Sequence, residues 1–152
     1  MVTMVGKQRS FDEAMVSLLE LEYDALEAYE TALERISAPY KDELTEFTSD
    51  HRRHISELTR LLTEHQHHDI PTGPSGGKHL LTKGKVILGS LVGDKAILMA
   101  MHSNEGDTNT AYERMISRTD KWSEADVIIN QALKDERKHK AWLEQTIDRL
   151  SS

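Results

Sequence analysis

Six side chains able to bind metal ions or move protons fall, at helical spacing, among otherwise apolar positions: Glu22, His51 and His54, Glu105, and Glu136 and His139. Burying a carboxylate or imidazole with nothing to answer its charge is costly, since even a neutral polar group without a partner loses roughly 2–7 kcal/mol on leaving water. The pattern recurs on each of four helical stripes, so something must compensate it. Divalent cations would do so, because carboxylate oxygens and imidazole nitrogens replace water around an ion while the ion neutralises the carboxylates. A metal-free network of buried ion pairs and hydrogen bonds among the same residues is the alternative. The i, i+3 spacing within His51/His54 and Glu136/His139 puts both members of each pair on one face, a turn apart, where they can serve the same ions.

The elements that must carry these residues are legible in the apolar period. Phe11, Met15, Leu18, Glu22, Ala25, Tyr29, Ala32 and Ile36 step by four and three, the mark of a helix face turned to a core. Ser10 and Glu13 predict a capping box at its start, and Ser37-Ala38-Pro39 its end. A second stripe, beginning near Pro39, runs Tyr40, Leu44, Phe47, His51, His54, Leu58 and Leu61. Helical character fades around His65, His67 and His68, read as a solvated cluster, before a loop marked by Pro71, Gly73, Pro74, Gly76 and Gly77 that is long enough to cross the bundle. Residues 80–92 form an apolar segment that is either a short separate helix or the first part of helix three. After Asp94, the expected N-cap, the third stripe is Leu98, Met101, Glu105, Thr108, Tyr112 and Met115. The fourth, starting near Ser123, is Ala125, Ile129, Ala132, Glu136, His139, Leu143, Thr146 and Leu150. The fold class this implies is all-α: an antiparallel four-helix bundle with a long crossover between helices two and three.

The two halves echo one another. Glu22-Tyr-Asp-Ala-Leu-Glu-Ala-Tyr29 matches Glu105-Gly-Asp-Thr-Asn-Thr-Ala-Tyr112 in its Glu, Asp, Ala and Tyr, and Asp50-His-Arg-Arg-His54 matches Asp135-Glu-Arg-Lys-His139 in its Asp, Arg and last His. Helix pairs related by a pseudo-two-fold axis would bring their ligands face to face. This pattern resembles the ferritin-like superfamily, in which two helices each give a Glu and two each give Glu-x-x-His. The run Leu133-Lys-Asp-Glu-Arg-Lys-His-Lys-Ala-Trp-Leu-Glu144 is similar to the fourth helix of bacterioferritins and rubrerythrins. The resemblance implies two metal ions, iron first, with Glu22 and Glu105 as terminal carboxylates, Glu136 as a bridging one, and His54 and His139 as one nitrogen ligand per ion. These three carboxylates would be the catalytic groups. His51 stands where the family has a Glu, and a neutral imidazole does not bridge two cations as a carboxylate does, which leaves the second ion in question. His51 is the first choice of ligand there and Asp50 the second, since Asp50 lies about 100° round the helix from the stripe. Asp50 and Asp135 fit better as outer carboxylates, Asp135 accepting from His54 and Asp50 from His139, which would fix ring orientation and tautomer. Tyr29 and Tyr112 can donate to ligand carboxylates or serve as ordinary core aromatics. His102 is expected to be peripheral.

Composition bounds the function. The chain has 152 residues, enough for a single domain, with residues 1–9 expected to be flexible. A net charge of −7 argues against nucleic-acid binding, and the absence of cysteine removes thiolate ligands and iron–sulfur centres, so any electron donor must be a separate molecule. Residues 1–10 lack the apolar stretch of a signal peptide, and residues 86–101 are too interrupted to span a bilayer, so no membrane partner and a cytoplasmic address are expected. The resemblance implies an oxidoreductase acting on dioxygen or peroxide; the alternative is a metal-binding or stress-associated bundle without turnover. Manganese and zinc use similar ligands, and the sequence leaves room for a homo-oligomer.

Overall fold

The computed structural model describes residues 3–74 and 90–152. Its long helices are α1 (Phe11–Arg35), α2 (Ala38–Glu64), α3 (Asp94–Ser117) and α4 (Ala125–Ser151), and no strand occurs among the described residues. The protein is an all-α four-helix bundle. α1 packs along α2 and α3 along α4, and the pairs meet with α1 on α3 and α2 on α4. The crossover and the segment 80–92 fall largely on residues 75–89, outside the described residues.

Local chemistry sets the boundaries. The Ser10 hydroxyl accepts from the Glu13 backbone N–H at 3.3 Å, with Asp12 and Glu13 in the first turn of α1, where negative charge suits the helix dipole. Pro39 sits in the first turn of α2, where its missing N–H costs nothing. Asp94, expected as a cap, is instead the first helical residue of α3 after Gly93. Its carboxylate accepts from the Ser37 N–H at 2.9 Å, so it ties α3 to the α1–α2 turn.

The stripes face one continuous core that includes Met15, Leu18, Phe47, Leu58, Met101, Tyr112 and Leu143. Two stripe positions at helix ends fall short: Tyr40 is half-buried, and Leu150, in the last turn of α4, is 39% exposed. The period continues there while burial falls off toward the helix ends.

Residues 3–8, ahead of α1, are tied to α3 and its C-terminal end. Arg114 donates to the carbonyls of Thr3 and Val5, Arg118 donates to those of Gly6 and Gln8, and Val5 is wholly buried. At Gly6 the chain takes φ +99°, and a Cβ there would meet Arg114 Cβ at 2.6 Å, so both backbone angle and space require glycine. His65 and His67 are likewise anchored and not simply solvated. His65 stacks on Trp122 at 3.6 Å and pairs with Glu124, while His67 lies 3.5 Å from Asp12. No helix among the described residues is long and apolar enough to cross a membrane.

Candidate metal centre

The bundle brings all six stripe residues together at its centre. Glu22, His51, Glu136 and His139 are 0% exposed, and His54 and Glu105 1%. They form two groups whose donor atoms lie within 4.8 Å of one another: Glu22, His51, His54 and Glu136; and His51, Glu105, Glu136 and His139. In the first, His51 Nδ1 is 2.9 Å from Glu22 Oε2 and 3.5 Å from Glu136 Oε1, and His54 Nδ1 is 3.3 Å from each of those oxygens. In the second, His51 Nε2 is 3.5 Å and His139 Nδ1 3.3 Å from Glu105 Oε1, and His139 Nδ1 is 3.6 Å from Glu136 Oε2.

Behind the inner atoms stands a matched outer layer. His54 Nε2 donates to Asp135 Oδ2 and His139 Nε2 to Asp50 Oδ2, both at 2.8 Å, the crosswise pairing anticipated above. Asp50 is therefore committed to His139 and is no substitute ligand beside His51. Tyr112 donates to Glu22 Oε1 at 3.0 Å, and Tyr29 donates to Glu105 Oε1, so each tyrosine serves the Glu of the other half. Arg53 joins the two outer carboxylates, 3.1 Å from Asp50 and 2.8 Å from Asp135. His102 pairs with Glu144 near the surface, away from this cluster.

Three contributors escape a reading of the sequence. The Thr108 hydroxyl lies 2.9 Å from Glu136 Oε2 and 3.2 Å from Glu105 Oε2, tying the two carboxylates together. Asn109 Nδ2 donates to the main-chain carbonyls of Glu105 and Glu136 at 2.7 and 3.1 Å, fixing α3 to α4 at ligand level. Phe47 packs against His139, ring centres 4.1 Å apart and planes tilted by 31°. The available signal for Thr108 was that the internal repeat puts Ala25 in its place; for Asn109 and Phe47 nothing local gave one.

The electrostatics show how the charges of these side chains answer one another. Burial alone would favour a neutral ring at His51, but Glu136 and Glu22 outweigh it and push the ring up to about 10. His54 and His139 follow, raised against burial to about 12 by Glu22 and Asp135 in one case and by Glu105 and Asp50 in the other. Burial raises the Glu22 and Glu105 carboxyls, yet their histidine neighbours carry both the other way, below the usual range. Glu136 goes up, driven by burial and the adjacent Glu105 charge, so it is the last of the three to ionise. Tyr29 and Tyr112 are held well above their ordinary range by burial and these carboxylates, and so remain hydrogen-bond donors.

Protons on the imidazoles thus supply the positive charge, but they do not complete the hydrogen bonding. His54 Nδ1 and Glu136 Oε1 are buried and have no hydrogen-bond partner, although they lie 3.3 Å apart. Both face the middle of the first group, where a cation would satisfy them together. The donor set, two imidazole nitrogens and two carboxylate oxygens per group, suits iron, zinc and related divalent ions. On both counts the residues fit a metal pair.

In overall fold the chain is similar to the crystal structure of a conserved hypothetical protein, rv2844, from Mycobacterium tuberculosis. The TM-score is 0.74, with 91% of this chain and 98% of that one covered, at 13% sequence identity. At that identity the likeness concerns the fold alone. No family model matches the sequence, and no curated protein matches it.

Proposed function

We propose that the chain is a two-metal oxidoreductase of the ferritin-like kind, using iron to reduce dioxygen or peroxide with electrons from a separate donor. The observation that carries this reading is the pair of buried two-nitrogen, two-carboxylate groups sharing His51 and Glu136. Ferrous ions held there would supply electrons to the oxidant and be re-reduced from outside. The chain's own residues hold and orient. Glu22, Glu105 and Glu136 provide oxygen ligands, and Asp135 and Asp50 fix the rings of His54 and His139. Tyr29 and Tyr112 hold their protons against the terminal carboxylates. With no cysteine in the chain, re-reduction through a thiolate centre of its own is not available.

Peroxide-driven oxidation of Fe(II), followed by stopped-flow absorbance, tests this directly. Glu136→Ala is expected to abolish it, and an unchanged rate in that variant would overturn the proposal. A second reading, a metal-stabilised bundle without turnover, is favoured by the near-complete burial of all six residues. Repeated oxidant consumption under continuous reduction supports the enzyme; a single stoichiometric oxidation supports the structural site.

A further inference from the structure

The repeat sets His51 against Glu136, and the structure gives both the same task. These two residues belong to both donor groups. Glu136 turns Oε1 to His54 and Oε2 to His139. His51 does likewise with its ring, Nδ1 lying 2.9 Å from Glu22 and Nε2 3.5 Å from Glu105. The ring cannot readily turn away, being wholly buried against Tyr29, His54 and His139 with ring centres 5.0, 5.6 and 5.3 Å distant.

We infer that His51 is a bridging ligand: Nδ1 completes one metal site with Glu22, His54 and Glu136, and Nε2 completes the other with Glu105, His139 and Glu136. This rests on the reading that the cluster binds metal, and it replaces the sequence-based expectation that an imidazole here leaves one ion in doubt. Each nitrogen binds through its lone pair, any N–H proton passing to solvent as the ion takes its place, so the ring ends as an imidazolate between two cations. The geometry has a consequence. With metal–nitrogen bonds of about 2.0–2.1 Å on either side of the ring, the ions sit about 6 Å apart, against about 3.5–4 Å in two-metal sites joined through oxygen. The two ions would then be linked through a ring and would not share a single oxygen-bridged core.

Loading the full chain with Co(II) alone tests this. Equilibrium dialysis is expected to give two ions per chain, and X-ray absorption no cobalt–cobalt scattering near 3.5–4 Å. His51→Glu is expected to keep two ions and gain that short vector. His51→Gln, which can offer a donor to only one side, should drop to one tightly bound ion, the other weakened at least about tenfold. A short vector in the unaltered chain, or two ions held at unchanged affinity by His51→Gln, would overturn the bridge while leaving the metal site standing. A chain binding no Co(II) would remove the metal reading itself, and the bridge with it. Thermal unfolding of both variants without metal identifies loss of fold, in which case the vector and stoichiometry of the unaltered chain decide alone.

Discussion

Around Glu22 and His54 the Glu22 carboxylate is held by one hydroxyl, that of Tyr112, and it lands on Oε1, leaving Oε2 to face the two imidazoles. Around Glu105 and His139 the support is heavier. Tyr29 donates to the same Oε1 that faces the imidazoles, and Thr108 holds Oε2 together with Glu136 Oε2. The donor sets are equal, because the internal repeat writes the Glu22/His54 and Glu105/His139 pairs alike and both groups share His51 and Glu136, and the supporting layers are not, because Thr108 has only Ala25 as its counterpart. The orphaned atoms, His54 Nδ1 and Glu136 Oε1, lie on the lightly supported side. Donor type thus follows the repeat except where His51 stands against Glu136, whereas the fit of each half depends on what was placed behind it.

That comparison can be broken most severely at Glu136, one of the two residues both halves share. Glu136→Ala is expected to remove a ligand from each group and erase metal-dependent stabilisation. At ion concentrations about 100 times Kd this is a loss of about 2.7 kcal/mol for each ion, or about 5–10 °C per ion in the melting temperature difference between loaded and chelated protein. Calorimetry showing the full difference retained would mean that the groups do not share Glu136.

Next comes pH. In the chelated chain the imidazolium charges stabilise the fold, and their folded values lie above the ordinary 6.5. Their contribution is whole below pH 6.5 and declines as pH rises toward about 10 at His51 and about 12 at His54 and His139, the shared ring yielding first. Denaturant titrations are expected to show the chelated chain losing stability from pH 6.5 to 10. The loaded chain should gain affinity for its ions over the same rise, since ligands must shed protons to bind. Parallel pH curves with and without metal would contradict this.

The outer carboxylates separate the halves. Asp135→Asn is expected to weaken the ion held by His54, and Asp50→Asn the ion held by His139, each about 10–100-fold. Two binding steps in calorimetry should respond one at a time; an equal loss in both from either variant would show that the halves act as one site. The smallest effect belongs to the asymmetry itself. Thr108→Val removes one hydroxyl from the Glu105 side, where a hydrogen bond is worth about 0.5–1.5 kcal/mol, and should leave the first binding group within error.

Much of this was legible in the sequence, for a physical reason: helical period and burial are local. Each of the six donor residues sat on a stripe, and the crosswise pairing of Asp135 with His54 and of Asp50 with His139 was among the expectations. What stayed hidden depends on contacts between residues far apart in the chain. Arg114 and Arg118 lock residues 3–8 to α3 across more than a hundred positions, and the His65 stack on Trp122 joins two helix ends. Neither leaves a periodic trace. Leu150 misled because periodicity records which way a side chain points and says nothing of whether another helix is there to meet it. At His51, residue type alone hides that the two ring nitrogens face different carboxylates.

An anomalous difference map from crystals grown with Fe(II) under anaerobic conditions tests the central claim most directly. Two peaks inside the bundle are expected, one among Glu22, His51, His54 and Glu136 and the other among His51, Glu105, Glu136 and His139. A bundle interior without an anomalous peak, the imidazoles still paired to the carboxylates, would contradict the account and leave a proton-balanced core in its place.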